Sequence, residues 1–417
     1  MRTTRRVAAT NHENWLIALR APGLGGAQLL ELAGQFGGID RLVGASRKAL
    51  SGAGLADDAL AALKEPDPAQ LRADLEWLDQ PGHYLLTRDS DRFPPLLRDI
   101  PNPPAALFVA GEPDVLWQPQ VAVIGSRNPT AGGKDNARAF AGELARRGLV
   151  ITSGMAAGID SIAHEAALDA GGTTVAVMGT GLDLVYPPAG EALAERIRGQ
   201  GALVSEFTPG TRARRAHFPA RNRIISGLSL GVLVIEAGLR SGTLITARLA
   251  GGQGREVFAL PGSIHNPLAK GCHRLIRDGA RLVESVAEVI EDLAPLAGQL
   301  ADRLRGELAA AEQAQRNGAR PEAARSAQAT GRASGRRPGA TGAQASGSLE
   351  LEPIGPQLDQ DPEYRQLWSC LGYDPKPVDA IVEQSGLTAR AVSAMLLMLE
   401  LRGMVEAHRG GAYSRKR

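Results

Sequence analysis

The stretch VAVIGSRNPT, residues 121–130, runs from β-branched apolar residues into a glycine and then a polar turn. Too short and too branched for a helix, it reads as a fully buried strand that stops where a loop must begin. The same event recurs in LVITSG (149–154), TVAVMG (174–179), ALVSEF (202–207), VLVIEA (232–237) and EVFALPG (256–262), with helical segments between them. Near-continuous apolar strands alternating with helices predict a doubly wound α/β domain whose parallel sheet is covered on both faces. The carboxyl ends of such strands open onto loops at one edge, where open α/β sheets bind ligands.

Composition sets the outer limits. The chain has 417 residues, 43% of them hydrophobic, enough for two or three domains with at least one full core. A net charge of only +2 means that affinity for nucleic acid has to come from local clustering. Cys272 and Cys370 stand far apart without a CxxC partner, which argues against a zinc site or a disulfide framework and for a reducing compartment. The early arginines have no apolar segment behind them, and no run of 18 apolar residues occurs, so the expectation is a soluble cytoplasmic protein with no membrane partner.

Outside the sheet region, residues 1–80 read as a small helical domain. Its two Gly-containing turns, RAPGLGGAQLLELAGQFG (20–37) and LSGAGLADDALAALK (50–64), resemble helix-hairpin-helix or SAM-like units. Such turns either receive a phosphate on free N–H groups or simply close the bundle. Residues 81–294 form the α/β domain. From 295 to 357 the Ala, Gly, Arg, Ser and Pro content predicts a flexible linker. Residues 358–417 regain periodicity: two helices joined across Ser385–Gly386–Leu387, a longer helix capped by Thr388, and a hairpin turning at Gly410–Gly411 predict a winged helix.

Candidate chemistry collects at the predicted sheet edge. Gly125, Ser126 and Arg127 leave the first strand as a small-residue turn with a guanidinium, a seat for phosphate. The pattern lacks GxGxxG, and Ser153–Gly154 stand where a ribose-binding acid would follow the second strand, so no nicotinamide cofactor is expected. Ser153, Gly154 and Gly158 lead into a helix whose N-terminus looks open to an anion, with Asp160 as a cap and His164 one turn on as a possible partner for it. Ser241–Gly242–Thr243 open a further helix after a strand, and Asn266, Lys270 and Gly271 line the last loop. No metal site and no cofactor are expected.

One loop concentrates positive charge: RARRAHFPARNR, residues 212–223, carries five arginines and a single phenylalanine without an acid. Arg212, Arg214, Arg215, His217, Phe218, Arg221, Asn222 and Arg223 together offer cations for phosphates and a π face for unstacked bases, the combination that binds single strands. The structural alternative has Phe218 in the core, Pro219 at the first helical position and some arginines paired with Glu206 or Glu236.

VIGSR, TSGMAAGIDSIAH, VMGTGLDLVYPP, FPARNRIISGLS, EAGLRSGTLITARLA and VFALPGSIHNPLAKGCHRLI, in this order and spacing, closely resemble the DNA-processing protein A family, also called Smf. The resemblance implies an extended Rossmann fold that binds and protects single-stranded DNA in natural transformation or recombination, loads RecA recombinase onto it, and forms a homodimer through this domain. It also implies that Gly125, Ser126, Arg127, Arg215 and Phe218 touch DNA; where relatives often carry lysine, Arg215 keeps the charge. The enzymatic alternative is a Rossmann-like phosphoribohydrolase with a PGGxGTxxE loop, but Thr246 stands where its water-activating acid would be, so no catalysis is expected. A winged-helix transcription regulator is the third reading, with Arg390, Arg402, Arg409, Arg415, Lys416 and Arg417 as its basic residues.

Overall fold

The computed structural model describes residues 12–318, and beyond them 362–372, 376–389, 392, 395–396, 399–400, 404–408 and 412–416. The front is helical: α1 (12–19), α2 (Gly26–Phe36), α3 (Ile39–Gly44), α4 (Arg47–Gly52), α5 (Asp57–Lys64) and α6 (Pro68–Leu78). Local signals account for the starts. Asp67 accepts from the N–H groups of Ala69 and Gln70 while Pro68 takes the first turn of α6, where its missing N–H costs nothing. At the first turn of α2 a Cβ on Gly26 would stand 3.4 Å from the Ala105 backbone nitrogen, so the helix start packs against the segment that leads into the sheet.

The chain then makes β1 (His83–Thr87), the single turn α7 (Pro95–Arg98), β2 (Ala106–Gly111) and β3 (Gln120–Ile124). Alternation follows: α8 (Ala131–Arg146), β4 (Val150–Ser153), α9 (Ile159–Asp169), β5 (Thr174–Val177), α10 (Glu191–Gln200), β6 (Ala202–Ser205), α11 (His217–Leu228) and β7 (Gly231–Val234). The domain closes with α12 (Thr243–Gly252), β8 (Glu256–Ala259), α13 (Lys270–Arg277), β9 (Arg281–Leu282) and α14 (Val286–Gly318).

The sheet order is β1-β2-β6-β5-β4-β3-β7-β8-β9. Strands β3 to β9 pair in parallel, and β1 and β2 extend the β6 edge in antiparallel fashion. All six strands read from sequence are present; β1, β2 and β9 are additions that the apolar-strand-then-glycine pattern does not reach. Successive side chains of one strand serve opposite faces. Val121 and Val123 pack under α8, α9 and α14, while Ala122 and Ile124 pack with α11, α12 and α13. Two buried faces are what make these strands apolar throughout.

The helical front shares a core with the sheet: Trp77 of α6 meets Phe108 of β2 edge to face at 5.8 Å, and residues 12–318 belong to one compact unit. Where the composition shifts at 295, the structure keeps a helix. α14 runs through that position to Gly318 because Leu293, Leu296, Ala297, Leu300 and Leu304 hold a helical apolar spacing against the core. Of the expected linker, 319–357 lies outside the described residues.

The second unit has helices Pro362–Cys370 and Val378–Ser385, the latter ended by Gly386 at φ +64°, helical positions within 389–400, and a sheet of Lys376–Pro377, Ala412–Arg415 and Val405–His408. This is the winged-helix pattern, closed around Leu367, Trp368, Ile381, Leu396 and Leu399. Arg415 lies over the Trp368 ring at 4.4 Å and donates to its carbonyl at 2.5 Å, so it belongs to this core. Arg390, Arg402, Arg409, Arg417 and the Gly410–Gly411 turn lie outside the described residues.

His164, on α9, is fully buried and faces Thr174, not Asp160. The Thr174 hydroxyl donates to the Ile151 carbonyl, so it accepts from His164 Nδ1–H, leaving Nε2 bare and without a partner. A proton on Nε2 would bury a cation, first through lost hydration and then against Arg221, which holds the imidazole at about 3. The folded pKa is thus depressed, so this contribution is present above the ordinary value of 6.5 and is lost as pH falls toward 3. Urea unfolding of wild type should lose stability between pH 6 and pH 4 more steeply than His164→Leu, by about 1.4 kcal/mol per pH unit. Equal slopes would refute the neutral buried imidazole.

Candidate nucleic-acid interface

β3 is flanked by β4 on one side and β7 on the other, so the chain departs in opposite directions from this point. Loops leaving β3 and β7 must diverge, and the crevice between them is where ligands sit in this architecture. A cleft of about 790 Å³ opens there, and Gly125, Ser126 and Arg127 form its first wall. Gly238, Arg240, Ser241, Gly242 and Thr243 form the second, and one face of α11 the third. Thr243 Oγ1 donates to the Gly125 carbonyl at 3.0 Å and Ser241 Oγ to Thr243 Oγ1 at 2.9 Å, pinning the two loops together.

Glu236, at the end of β7, fastens the loops behind them. Its carboxylate accepts from the Thr130 N–H at 2.9 Å, the Thr130 hydroxyl at 2.7 Å and the Asn266 amide at 3.2 Å. Thr130 in turn accepts from the Gly133 N–H and starts α8. One buried carboxylate therefore sets the path of the loop that carries Arg127.

The floor is Arg221. Only 4% exposed, it donates through Nη1 to the carbonyls of Gly154 and Val177 and through Nε to the Asn222 side chain. Burial draws its pKa down to about 10, with Asp160 pulling it back up, so it stays a cation at neutral pH. A Cβ on Gly154 would meet its Nη2 at 2.3 Å, which is why that position carries glycine. Asp160 accepts from the N–H groups of Gly154 and Ala156; burial pushes its carboxyl upward while Arg221 opposes the shift.

The stretch 212–223 is a loop only as far as Ala216. α11 begins at His217, places Pro219 third in the helix instead of first, and puts Phe218, Arg221, Asn222 and Ile225 at helical spacing on the cleft face. Phe218 is half-buried, with the Arg127 guanidinium 6.0 Å from its ring centroid and the Tyr186 ring at 5.6 Å. Arg215 and exposed Arg240 line the same cleft.

Other expected site residues lie elsewhere. Ser153 is fully buried with its hydroxyl on the Val123 carbonyl. Gly158 serves geometry: at φ +88° its missing Cβ would stand 2.4 Å from the Ser126 carbonyl. That same carbonyl takes the Ile159 N–H at 3.1 Å, and Asp160 occupies the first turn, so the N-terminus of α9 is not an open anion seat. Arg223 forks onto Glu206 at 2.7 and 2.6 Å. Lys270 sits by Leu239 and Arg274 in a separate depression. Arg212, Arg214 and His217 line a second cleft against the helical front. Tyr186 and Arg240 are among the cleft residues that the sequence did not assign to the strand-binding site. The signal for Tyr186 was available, an aromatic in the loop after β5 at the ligand edge.

Residues 84–294 match the family model described as DNA recombination-mediator protein A, and residues 352–411 that of the DprA winged helix domain. Protein Smf of Synechocystis (strain PCC 6803) is 35% identical over 351 residues, 82% of this chain and 82% of that protein. Protein Smf of Escherichia coli K12 is 50% identical over 224 residues, 54% of this chain, which spans 60% of the E. coli protein's length. The X-ray structure of DNA processing protein A from Streptococcus pneumoniae superposes with a TM-score of 0.61 at 38% identity, covering 67% of this chain and 97% of that one.

Replacing Glu236 by Ala strands Thr130 and Asn266. Such a variant should unfold at lower urea by about 2–3 kcal/mol, the scale of hydrogen bonds to a charged group, and the Thr130 amide should exchange faster. Unchanged exchange at Thr130 would show that the carboxylate does not hold the loop.

Proposed function

Because this chain belongs to the DNA recombination-mediator protein A family, we propose that the cleft at the switch point binds single-stranded DNA without base selectivity. The observation that carries this reading is the juxtaposition of a half-buried phenyl ring with arginines that have charge to spare. The Phe218 ring has Arg127 and Tyr186 beside it, and Arg215 and Arg240 line the same cleft above the structural cation Arg221. Facing them, Asp160 is the carboxylate among the cleft lining residues, and it is buried beside Arg221. A backbone phosphate finds cations there, and a base finds a π face, which a duplex with stacked bases does not offer.

Binding without turnover fits the lining. Thr246, where a water-activating acid would stand in a phosphoribohydrolase-like site, is a buried hydroxyl with no basicity to contribute. Release of free base from nucleoside monophosphates by purified protein would overturn this part of the proposal. As a recombination mediator the protein would shield the strand and deliver it to RecA recombinase, acting as a homodimer through the α/β domain. The membership in a mediator family supports that role, and a gel shift of single against double strands, with and without recombinase, tests it. Among the described residues no helix is long and apolar enough to cross a membrane.

Charge and stacking should separate by salt. Arg127→Ala and Arg215→Ala are each expected to weaken single-strand binding and to lower the slope of log affinity against log salt by about 0.7. Phe218→Ala should cost about 1–3 kcal/mol of affinity with the slope unchanged. Fluorescence titration at several salt concentrations reads both, and one common slope for all three variants would sink the division.

A further inference from the structure

The run of arginines does not serve one cleft. Arg215 lines the switch-point cleft, but Arg212 and Arg214 line a second one of about 430 Å³, whose other wall is Arg20 and Gln70 of the helical front. We propose that this second cleft is a phosphate seat for the same single strand as it leaves the first, so that the helical front forms part of the DNA path. The proposal rests on the single-strand reading of the switch-point cleft.

Three observations support it. First, the loop is fixed and not merely exposed. The Gly210 N–H donates to both oxygens of Asp183 at 2.8 and 2.9 Å, the Pro209 carbonyl accepts from Arg20 at 2.8 Å, and the Gly181 N–H donates to the Thr211 carbonyl at 2.9 Å. Cations held on a tethered loop lose less entropy on binding than free surface arginines do. Second, the charges are unspent. Arg20 is paired with fully buried Asp74, and Asp183 with the Gly210 backbone, whereas Arg212 and Arg214 are exposed and make no ion pair among the described residues. Third, the two clefts are adjacent. His217 lines the second and its neighbour Phe218 the first, so the first turn of α11 is their common border. His217 stacks on Phe207 at 4.1 Å with rings 22° apart and is held to the Gly179 carbonyl, which makes that border rigid. A strand whose base lies on Phe218 and whose phosphate meets Arg215 has its next cations at Arg214 and Arg212. A strand confined to the first cleft would leave them unused.

Oligonucleotide length tests this on the full chain. Anisotropy titrations would use oligothymidylates of about 4 and about 16 nucleotides, the span of single-strand site sizes, with wild type, the double variant Arg212→Ala/Arg214→Ala and Arg127→Ala. The double variant should bind the short oligomer like wild type. It should lose about tenfold on the long one, with the salt slope reduced by about 1.4, two phosphates at about 0.7 each. Full affinity for the long oligomer, or an equal loss on both lengths, overturns the second seat. Arg127→Ala separates the two readings: if it leaves both lengths unaffected, the single-strand reading of the first cleft fails and the second seat falls with it.

Discussion

A guanidinium buried under the cleft floor decides where the rest of the site lies. Arg221 cannot shed its proton at neutral pH even with its pKa drawn down to about 10, so a permanent cation has to be satisfied inside the domain. It is met by the carbonyls at the ends of two neighbouring parallel strands, Gly154 after β4 and Val177 of β5, with Asp160 close enough to act through its charge. Those acceptors exist because parallel strands end at the same edge. The arginine thus locks α11 onto the sheet at the carboxyl ends of β4 and β5. Once α11 is locked, Phe218, one helical turn earlier, has a fixed place on the cleft face. The basis of the aromatic platform is this buried charge.

The same economy explains how a chain with net charge +2 builds a cationic surface. Of the five arginines in 212–223, Arg223 is consumed by Glu206 and Arg221 by the fold. Arg215 reaches the switch-point cleft and Arg212 and Arg214 the cleft beside the helical front. Structural cations hold the segment and unspent ones face the two clefts. Density in sequence becomes two separate functions because a helix begins partway through the run.

That helix start marks the limit of what sequence could reveal. The strands were legible, since residues buried on both faces must be apolar at every position, and so was the ligand edge, since glycines and serines follow them. The position of α11 was not. Its N-cap is Ala216, which offers no side-chain acceptor, and Pro219, which signals a first helical position, stands third. Ser126 and Ser153 look alike at the ends of adjacent strands. Ser153 is still inside β4 and points inward to the Val123 carbonyl, whereas Ser126 lies two residues past the end of β3 and lines the cleft. The N-terminus of α9 carried every sign of an anion site, yet the Ser126 carbonyl had already taken its Ile159 N–H. A backbone acceptor brought from another loop leaves no trace in residue types. The antiparallel pair β1 and β2 was invisible for the opposite reason: its strands lie outside the alternation of strand and helix on which the reading depended.

The Phe218 ring is positioned as much by what is missing beneath it as by what surrounds it. A Cβ on Gly179 would stand 3.2 Å from its Cδ1 carbon and 3.8 Å from the His217 Cβ, so the ring would have to give way. With glycine there the ring settles over bare backbone, half-buried, and keeps one side open between Arg127 and Tyr186. An aromatic held in this way has given up its rotamer freedom during folding, so stacking a base on it costs no further ordering. Arg127 at 6.0 Å is near the outer limit of a cation–π contact, where the attraction to the ring is weak. Its guanidinium is therefore able to move to a phosphate without giving up a strong interaction, while Glu236 keeps its loop in place. Platform and clamp are prepared separately, one by packing and the other by a carboxylate behind the loop, and under the proposed function that independence would let one site hold both the backbone and the bases of a strand whose sequence it does not read.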